Sequence, residues 1–367
     1  MFDRSPEHEL TKEHRRLYAA EQLLNFRWIF KLLAKRSKHI LTEADLVSNA
    51  VSVELDELGQ FAEAAYSGRV ITIDSLLNNI EVLLKPDFPL QGYTALRGAV
   101  VISHFKGRVA ELPGYVVYRP STKQLIVGIS GTSSIKLAFH DLRTLKDRHP
   151  SGRGEVHSGF WSLYEGIKST VLDAIAKGLK EHDVEEIALT GHSMGGSVSY
   201  LLAMDLLAAG SVNDAPLPRI LKIAVFGAPR TGSPALVKYW WELVDKFQNV
   251  HGQGALAEYS VKAYNDGVPT LPPYGFGYWH FARDAMYLDK GSLYHIPREA
   301  SEDALFTVSP PMQSTKHPPD YPLGGHNYYN DRDHERFIHR TDWLLQAKYG
   351  EDGWEDRYLQ LFAMNQR

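Results

Sequence analysis

Apolar residues change their spacing along the chain, and the change divides it. Between residues 7 and 84 the pattern is mostly helical: Phe26, Ile29, Phe30 and Leu33 share a face, with Leu23 a turn earlier. Residues 55–66 read as a second helix that Gly68 closes. From about residue 114, short apolar runs alternate with longer amphipathic stretches. Residues 114–118 and 125–129 are strand-like and are separated by the turn residues Pro120, Ser121 and Thr122. Phe160, Leu163, Ile167, Val171 and Ala174 then fall on one helical face. Residues 187–189, 221–226 and 259–264 predict further strands, and residues 194–209 and 236–247 further helices. Strands alternating with helices predict an α/β fold, a mostly parallel central sheet flanked by helices. The pattern breaks over residues 306–326, where Pro310, Pro311, Pro318, Pro319 and Pro322 mark a long loop. Long loops in compact domains tend to carry function.

Composition narrows the class. With 367 residues, 44% hydrophobic and 23% charged, the chain can bury a large core and is not a disordered one. Its formal net charge of -4 offers no basic field for nucleic acid. Cysteine is absent, which excludes disulfides, thiol nucleophiles and thiolate metal sites. The N-terminal residues lack the apolar core of a secretory signal, and no Asn-x-Ser/Thr sequon occurs. No run approaches the roughly 18 apolar residues of a membrane-spanning helix. Together these absences set the expectation of a cytoplasmic protein, with peripheral contact at a membrane or lipid droplet, and secretion of a longer precursor, as open alternatives.

Gly191-His192-Ser193-Met194-Gly195 is a Gly-x-Ser-x-Gly pentapeptide between the strand at 187–189 and the helix at 194–209. That is the setting of a nucleophile elbow, a sharp strand-to-helix turn that presents the serine beside free helix N–H groups. The plainer reading is a small-residue helix start with a capping serine. A serine hydroxyl needs a base, usually a histidine oriented by a carboxylate. In folds with this elbow the order along the chain is Ser, then Asp or Glu, then His.

Four further segments, together with the elbow, resemble the class 3 (fungal-type) lipases in order across residues 114–330. They are Ser130-Gly131-Thr132-Ser133-Ser134, Val156-His157-Ser158-Gly159-Phe160, Phe226-Gly227-Ala228-Pro229-Arg230-Thr231-Gly232 and Asp266-Gly267-Val268-Pro269-Thr270-Leu271-Pro272-Pro273. The resemblance implies the α/β-hydrolase fold, Ser193 as nucleophile and Asp266 as the triad acid. From the residues alone, Asp266 reads equally as a turn residue before Gly267. His326, in His326-Asn327-Tyr328-Tyr329, is the implied base. His334 is a rival because it follows an acid, Asp333, whereas Gly325 precedes His326. His280 resembles a non-catalytic family histidine. Thr132 and Met194 are implied as the oxyanion hole. A lid over residues 134–141 is implied too, with Ile135, Leu137 and Phe139 facing substrate. Two departures stand out: Ser130 occupies a position that is often Arg in the family, and Ala138 stands where a lid Trp is found.

The chain is thus expected to comprise an N-terminal helical extension, residues 1–90, packed on a catalytic domain, residues 91–367. In the extension, Arg27, Lys31, Lys35, Arg36 and Lys38 lie beside Phe26, Trp28, Ile29 and Phe30, which suits either packing on the core or an anionic membrane surface. The expected activity is hydrolysis of carboxylic esters, lipids such as acylglycerols in particular, through an acyl-enzyme and without metal or organic cofactor. His326, Asp331, Asp333, His334 and His339 fit no metal-binding spacing. A catalytically silent lipase-like interaction protein, and an acyltransferase using the same triad, are the alternatives.

Overall fold

The computed structural model describes residues 26–131, 145–310, 324–329 and 332–366. Thr132 and the lid residues Ile135, Leu137 and Phe139 lie outside them, as does most of the proline-rich loop.

Eight strands form the central sheet: β1 (Val100–Lys106), β2 (Pro113–Arg119), β3 (Gln124–Ile129), β4 (Glu186–His192), β5 (Ile220–Phe226), β6 (Leu256–Ala263), β7 (Ala285–Asp289) and β8 (Ser292–Ile296). They lie side by side in chain order. Strands β3 to β7 are parallel, while β1 and β2 at one edge and β8 at the other run antiparallel to their neighbours. Besides two short helices, Ile73–Asn78 and Ile80–Leu83, the described helices are α1 (Arg27–Leu33), α2 (Asn49–Ala64), α3 (Ser158–Glu181), α4 (Met194–Ala209), α5 (Pro234–His251), α6 (His334–Gln346) and α7 (Trp354–Gln366). This is the α/β-hydrolase architecture, a mostly parallel sheet between helices.

Strands β3 and β4 are buried along their whole length, as a sheet covered on both faces requires. Alternate side chains of a strand point to opposite faces, and the core divides accordingly. Leu125, Val127, Ile187, Leu189 and Ile223 pack with α3, α4 and α5 on one face. Ile126, Ala188, Ala224 and Val261 pack with α2, α6 and α7 on the other. Residues before β1 therefore cover half of the sheet. Thr190 Oγ1 in β4 fastens α2 there by donating to the Leu58 carbonyl at 3.2 Å and to that of Ala224 at 2.8 Å.

Two features of this region depart from its helical pattern. Residues Arg36–Leu41 form a strand, paired in parallel with Leu305–Val308. Its charged residues face solvent while Ser37 and Leu41 are buried, and a partner some 270 positions away, not local propensity, makes it extended. Helix α2 begins earlier than expected, where Ser48 Oγ caps it by accepting from Val51 N–H. It ends at Ala64 and tightens into a 3-10 turn over Ala65–Arg69. That turn carries Tyr66 and Arg69 to the carboxyl ends of the parallel strands, where α/β sheets bind their ligands.

Candidate active site

Ser193 sits between the last residue of β4 and the first of α4, with φ 59° and ψ -131°. A non-glycine residue adopts such a conformation only when its surroundings enforce it. Here the Ser193 N–H donates to the Phe226 carbonyl at 2.8 Å, and Gly196 N–H donates to the Ser193 carbonyl at 3.0 Å. Strand and helix cross too closely for side chains: a Cβ on Gly191 would lie 2.5 Å from the Gly195 carbonyl carbon, and one on Gly195 would overlap the Ile129 carbonyl oxygen. The serine side chain makes no capping hydrogen bond, so the helix-cap reading does not describe this turn. Met194 is the first residue of α4, where N–H groups have no intrahelical acceptor.

The turn after β6 holds Asp266, and the segment after the proline-rich loop holds His326; both are buried. His326 Nδ1 lies 3.0 Å from Asp266 Oδ2 and 3.1 Å from Oδ1. An imidazole that donates its Nδ1–H to a carboxylate keeps a lone pair on Nε2. His326 Nε2 is buried and has no hydrogen-bond partner among the described residues. Two further donors fix the carboxylate: Val268 N–H to Oδ1 at 2.8 Å, and the Tyr329 hydroxyl to Oδ2 at 2.5 Å. Burial, together with the Asp266 charge, pushes the Tyr329 phenol well above its ordinary range, so it stays a donor. Phe26, preceding α1, packs edge-on over the His326 ring at 5.4 Å.

These groups converge on Gly227, whose φ is +60°. A Cβ there would lie 2.8 Å from both Asp266 Oδ2 and the Tyr329 hydroxyl, and 3.1 Å from His326 Cε1. Three residues on, the Arg230 guanidinium is buried and donates to the Thr270 carbonyl at 2.6 Å and to that of Pro272 at 3.1 Å, while pairing with Glu302 at 2.5 Å. The segment thus leaves room at Gly227 for the Asp266–His326–Tyr329 cluster and, through Arg230, holds the chain that follows Asp266.

The other histidines have different surroundings. His334 is the first residue of α6, and the acid before it, Asp333, caps that helix by accepting from Arg336 N–H at 2.9 Å. Neither His334 ring nitrogen has a partner among the described residues, and burial pushes its pKa well below the ordinary imidazole range. His280 is buried with Nε2 3.0 Å from the Pro269 carbonyl. His192, the variable residue before the serine, is buried and held neutral, chiefly by desolvation. Its Nε2 lies 2.7 Å from the His326 carbonyl, which can only accept. Its Nδ1 therefore accepts from the Tyr66 hydroxyl at 2.8 Å. Tyr66, Arg69 and His192 were not singled out by the sequence; the position of His192 inside the pentapeptide was the one available signal. Among the described residues no group of three or more His, Asp or Glu side chains is placed to hold a metal ion.

A mostly parallel sheet with a serine at a strained strand-to-helix turn, and a buried Asp–His pair whose imidazole lies 4.4 Å from the ring of the residue before that serine, defines the class of α/β-hydrolase-fold proteins. Residues 126–276 match the lipase (class 3) family. The chain is 29% identical over 182 residues to a lipase of Rhizopus niveus, a match covering 49% of this chain and 43% of that protein. It is 27% identical over 197 residues to secreted mono- and diacylglycerol lipase 1 of Fusarium solani, covering 53% of each. The chain thus spans about half the length of the curated relatives it matches. Among solved structures, lipase II from Rhizopus niveus shares the fold with a TM-score of 0.57 at 22% identity, covering 78% of this chain and 97% of that one. A triacylglycerol lipase whose catalytic centre is described as a serine-protease triad aligns with a TM-score of 0.56 at 20% identity, covering 80% and 98%.

One expectation is corrected by these relatives. The proteins from Fusarium solani and Malassezia globosa are named as secreted lipases, which points to the extracellular side and overturns the cytoplasmic expectation. That expectation rested on the absence of a signal, of cysteines and of sequons. A domain this large, with both faces of an eight-stranded sheet buried, does not need disulfides to be stable, so their absence marks no compartment.

Proposed function

We propose that the protein is a serine-dependent hydrolase of carboxylic esters, with acylglycerols as its substrate class. The observation that carries this reading is the buried Asp266–His326 pair, with an unpartnered Nε2, whose imidazole lies 4.4 Å from the ring of His192, the residue before Ser193 at its strained turn. Ser193 Oγ attacks the ester carbonyl while His326 Nε2 takes its proton. Asp266 holds the imidazole in the required tautomer and stabilises the imidazolium. The Met194 N–H and Thr132 receive the oxyanion. His326 returns the proton to the leaving alcohol, and water then attacks the acyl-enzyme by the same route to release the fatty acid. Ile135, Leu137 and Phe139, outside the described residues, are the proposed acyl-chain contacts.

Contact with a lipid surface is assigned to the outer side of α1. Phe26, Ile29 and Phe30 are buried against the site, whereas Trp28, Leu32 and Leu33 are exposed, Leu32 by 73%. Lys31 on the same helix adds positive charge, whereas Lys35 beyond it is paired with Asp303 at 2.8 Å. One experiment addresses both points: release of fatty acid from soluble p-nitrophenyl butyrate and from emulsified mono- and trioleoylglycerol. The wild-type protein is expected to hydrolyse both kinds. Leu32→Asp is expected to lower the emulsion rate about threefold or more and leave the soluble ester unchanged, since a carboxylate costs free energy at an apolar surface. Folded protein that hydrolyses neither ester contradicts the hydrolase reading; equal effects of Leu32→Asp on both esters contradict the surface assignment.

A further inference from the structure

His192 ends β4, one peptide bond before Ser193, and its buried imidazole lies beside the rings of His326 and Tyr66, at 4.4 and 5.8 Å between centroids. Both of its ring nitrogens are engaged. Nε2 donates to the backbone carbonyl of His326 at 2.7 Å, and Nδ1 accepts from the Tyr66 hydroxyl at 2.8 Å. The carbonyl has no hydrogen to give, so the proton sits on Nε2 and the hydroxyl meets the lone pair of Nδ1. Burial holds the Tyr66 phenol above its ordinary range, which keeps it a donor. Tyr66, His192 and the His326 backbone thus form one directed chain of hydrogen bonds.

The chain crosses the site where spacing matters. Under the hydrolase reading, Ser193 gives its proton to His326, yet the two stand on segments far apart in sequence. The base segment is fastened on the acid's side: Gly325 N–H donates to the Tyr264 carbonyl at 3.1 Å, and Asp266 holds the His326 ring at 3.0 Å. The bond from His192 runs to the nucleophile's side, joining the backbone of the base to the residue that adjoins Ser193. A side chain that only filled this space would need no polar atoms, since an apolar one of similar volume avoids desolvating two ring nitrogens. Neutrality matters too. His326 becomes a cation as it takes the serine proton, and a second cation one ring away would oppose that step. An imidazole whose Nδ1 accepts from Tyr66 carries no such charge.

We infer that His192 is a positioning residue that sets the distance between Ser193 and His326, with Tyr66 holding its tautomer. The inference rests on the proposed hydrolase function. Proton transfer belongs to the transition state and not to the bound ester, so His192 acts on kcat and not on KM. A displacement of about 1 Å in such a site costs on the order of 10²-fold.

The test measures kcat and KM on p-nitrophenyl butyrate for the wild type, His192→Leu, His192→Gln and Tyr66→Phe, with a melting curve on each sample so that rates refer to folded protein. His192→Leu fills the space without the donor and is expected to lower kcat about 30-fold with KM within about twofold. His192→Gln offers an N–H to the His326 carbonyl and an oxygen to Tyr66, and is expected to stay within about fivefold of wild type, a recovery that packing alone would not produce. Tyr66→Phe keeps the ring and leaves Nδ1 buried without a donor; it is expected to lower kcat about fivefold, and it decides the matter if the leucine variant does not fold. A kcat within twofold of wild type for His192→Leu, or for Tyr66→Phe in its place, overturns the inference. So does a loss confined to KM, or a glutamine variant as slow as the leucine one. A folded wild-type protein that hydrolyses no ester overturns the hydrolase reading itself, whereas an active wild type confines a failure to His192.

Discussion

Replacing Ser193 by alanine is expected to abolish ester hydrolysis and leave the protein folded. The strained backbone at this position is imposed by the crossing of β4 and α4 and by the hydrogen bond from Ser193 N–H to Phe226, none of which involves the hydroxyl. The side chain caps nothing, so its loss leaves no helix end unsatisfied. Thermal stability is expected to change by less than about 1 kcal/mol, as for other substitutions that keep the shape of a site. Turnover is expected to fall on the order of 10⁶-fold, the residue being whatever oxyanion donors and binding achieve without a nucleophile. Kinetics on a soluble ester, with a melting curve on the same sample, measure both. A folded Ser193→Ala protein with near-normal turnover contradicts the assignment.

The second large effect separates two histidines. His326→Ala is expected to reduce kcat by about 10⁴-fold or more, since a serine without its base gains little from the rest of the triad. It also leaves the Asp266 carboxylate buried with two donors in place of three. His334→Ala is expected to keep kcat within about tenfold of wild type. Among the described residues no carboxylate orients the His334 ring, and its neighbours are the rings of Tyr66 and His192, at 4.1 and 4.9 Å between centroids. Removing it opens a space in that packing and costs on the order of 2 kcal/mol of stability. The measurement is kcat per titrated serine for the two variants side by side. The opposite ranking moves the base to His334.

What could be read from the sequence follows the range over which each feature is determined. Strands β3 to β6 and helices α3 to α5 carry their own periodicity, because each is packed on the sheet core along most of its length. Edge strands do not. In β1 only Ile102 and Phe105 are buried, and without a strict apolar–polar alternation the segment reads as loop until β2 is alongside it. The strand at Arg36–Leu41 is charged and short, and pairing with Leu305–Val308 makes it extended. The same distinction applies to the site. Ser193 is announced by glycines within two residues of it, and Asp266 and His326 by motifs near them. Tyr66 reaches His192 across 126 positions and Arg69 reaches Gly131 across 62, and no local pattern marks Tyr66 or Arg69. These contacts exist because α2 lies on the sheet face beneath β4, an arrangement that only the folded chain displays.

The most direct measurement of the central claim is the mass-spectrometric location of a fluorophosphonate adduct on the folded protein. The phosphonyl group mimics the tetrahedral state and is attacked only by a serine whose proton has somewhere to go. A single adduct is predicted on the peptide carrying Ser193, lost when the protein is denatured first or when His326 is replaced by alanine. A folded protein that takes up no label, or takes it up on a different serine, would contradict the account.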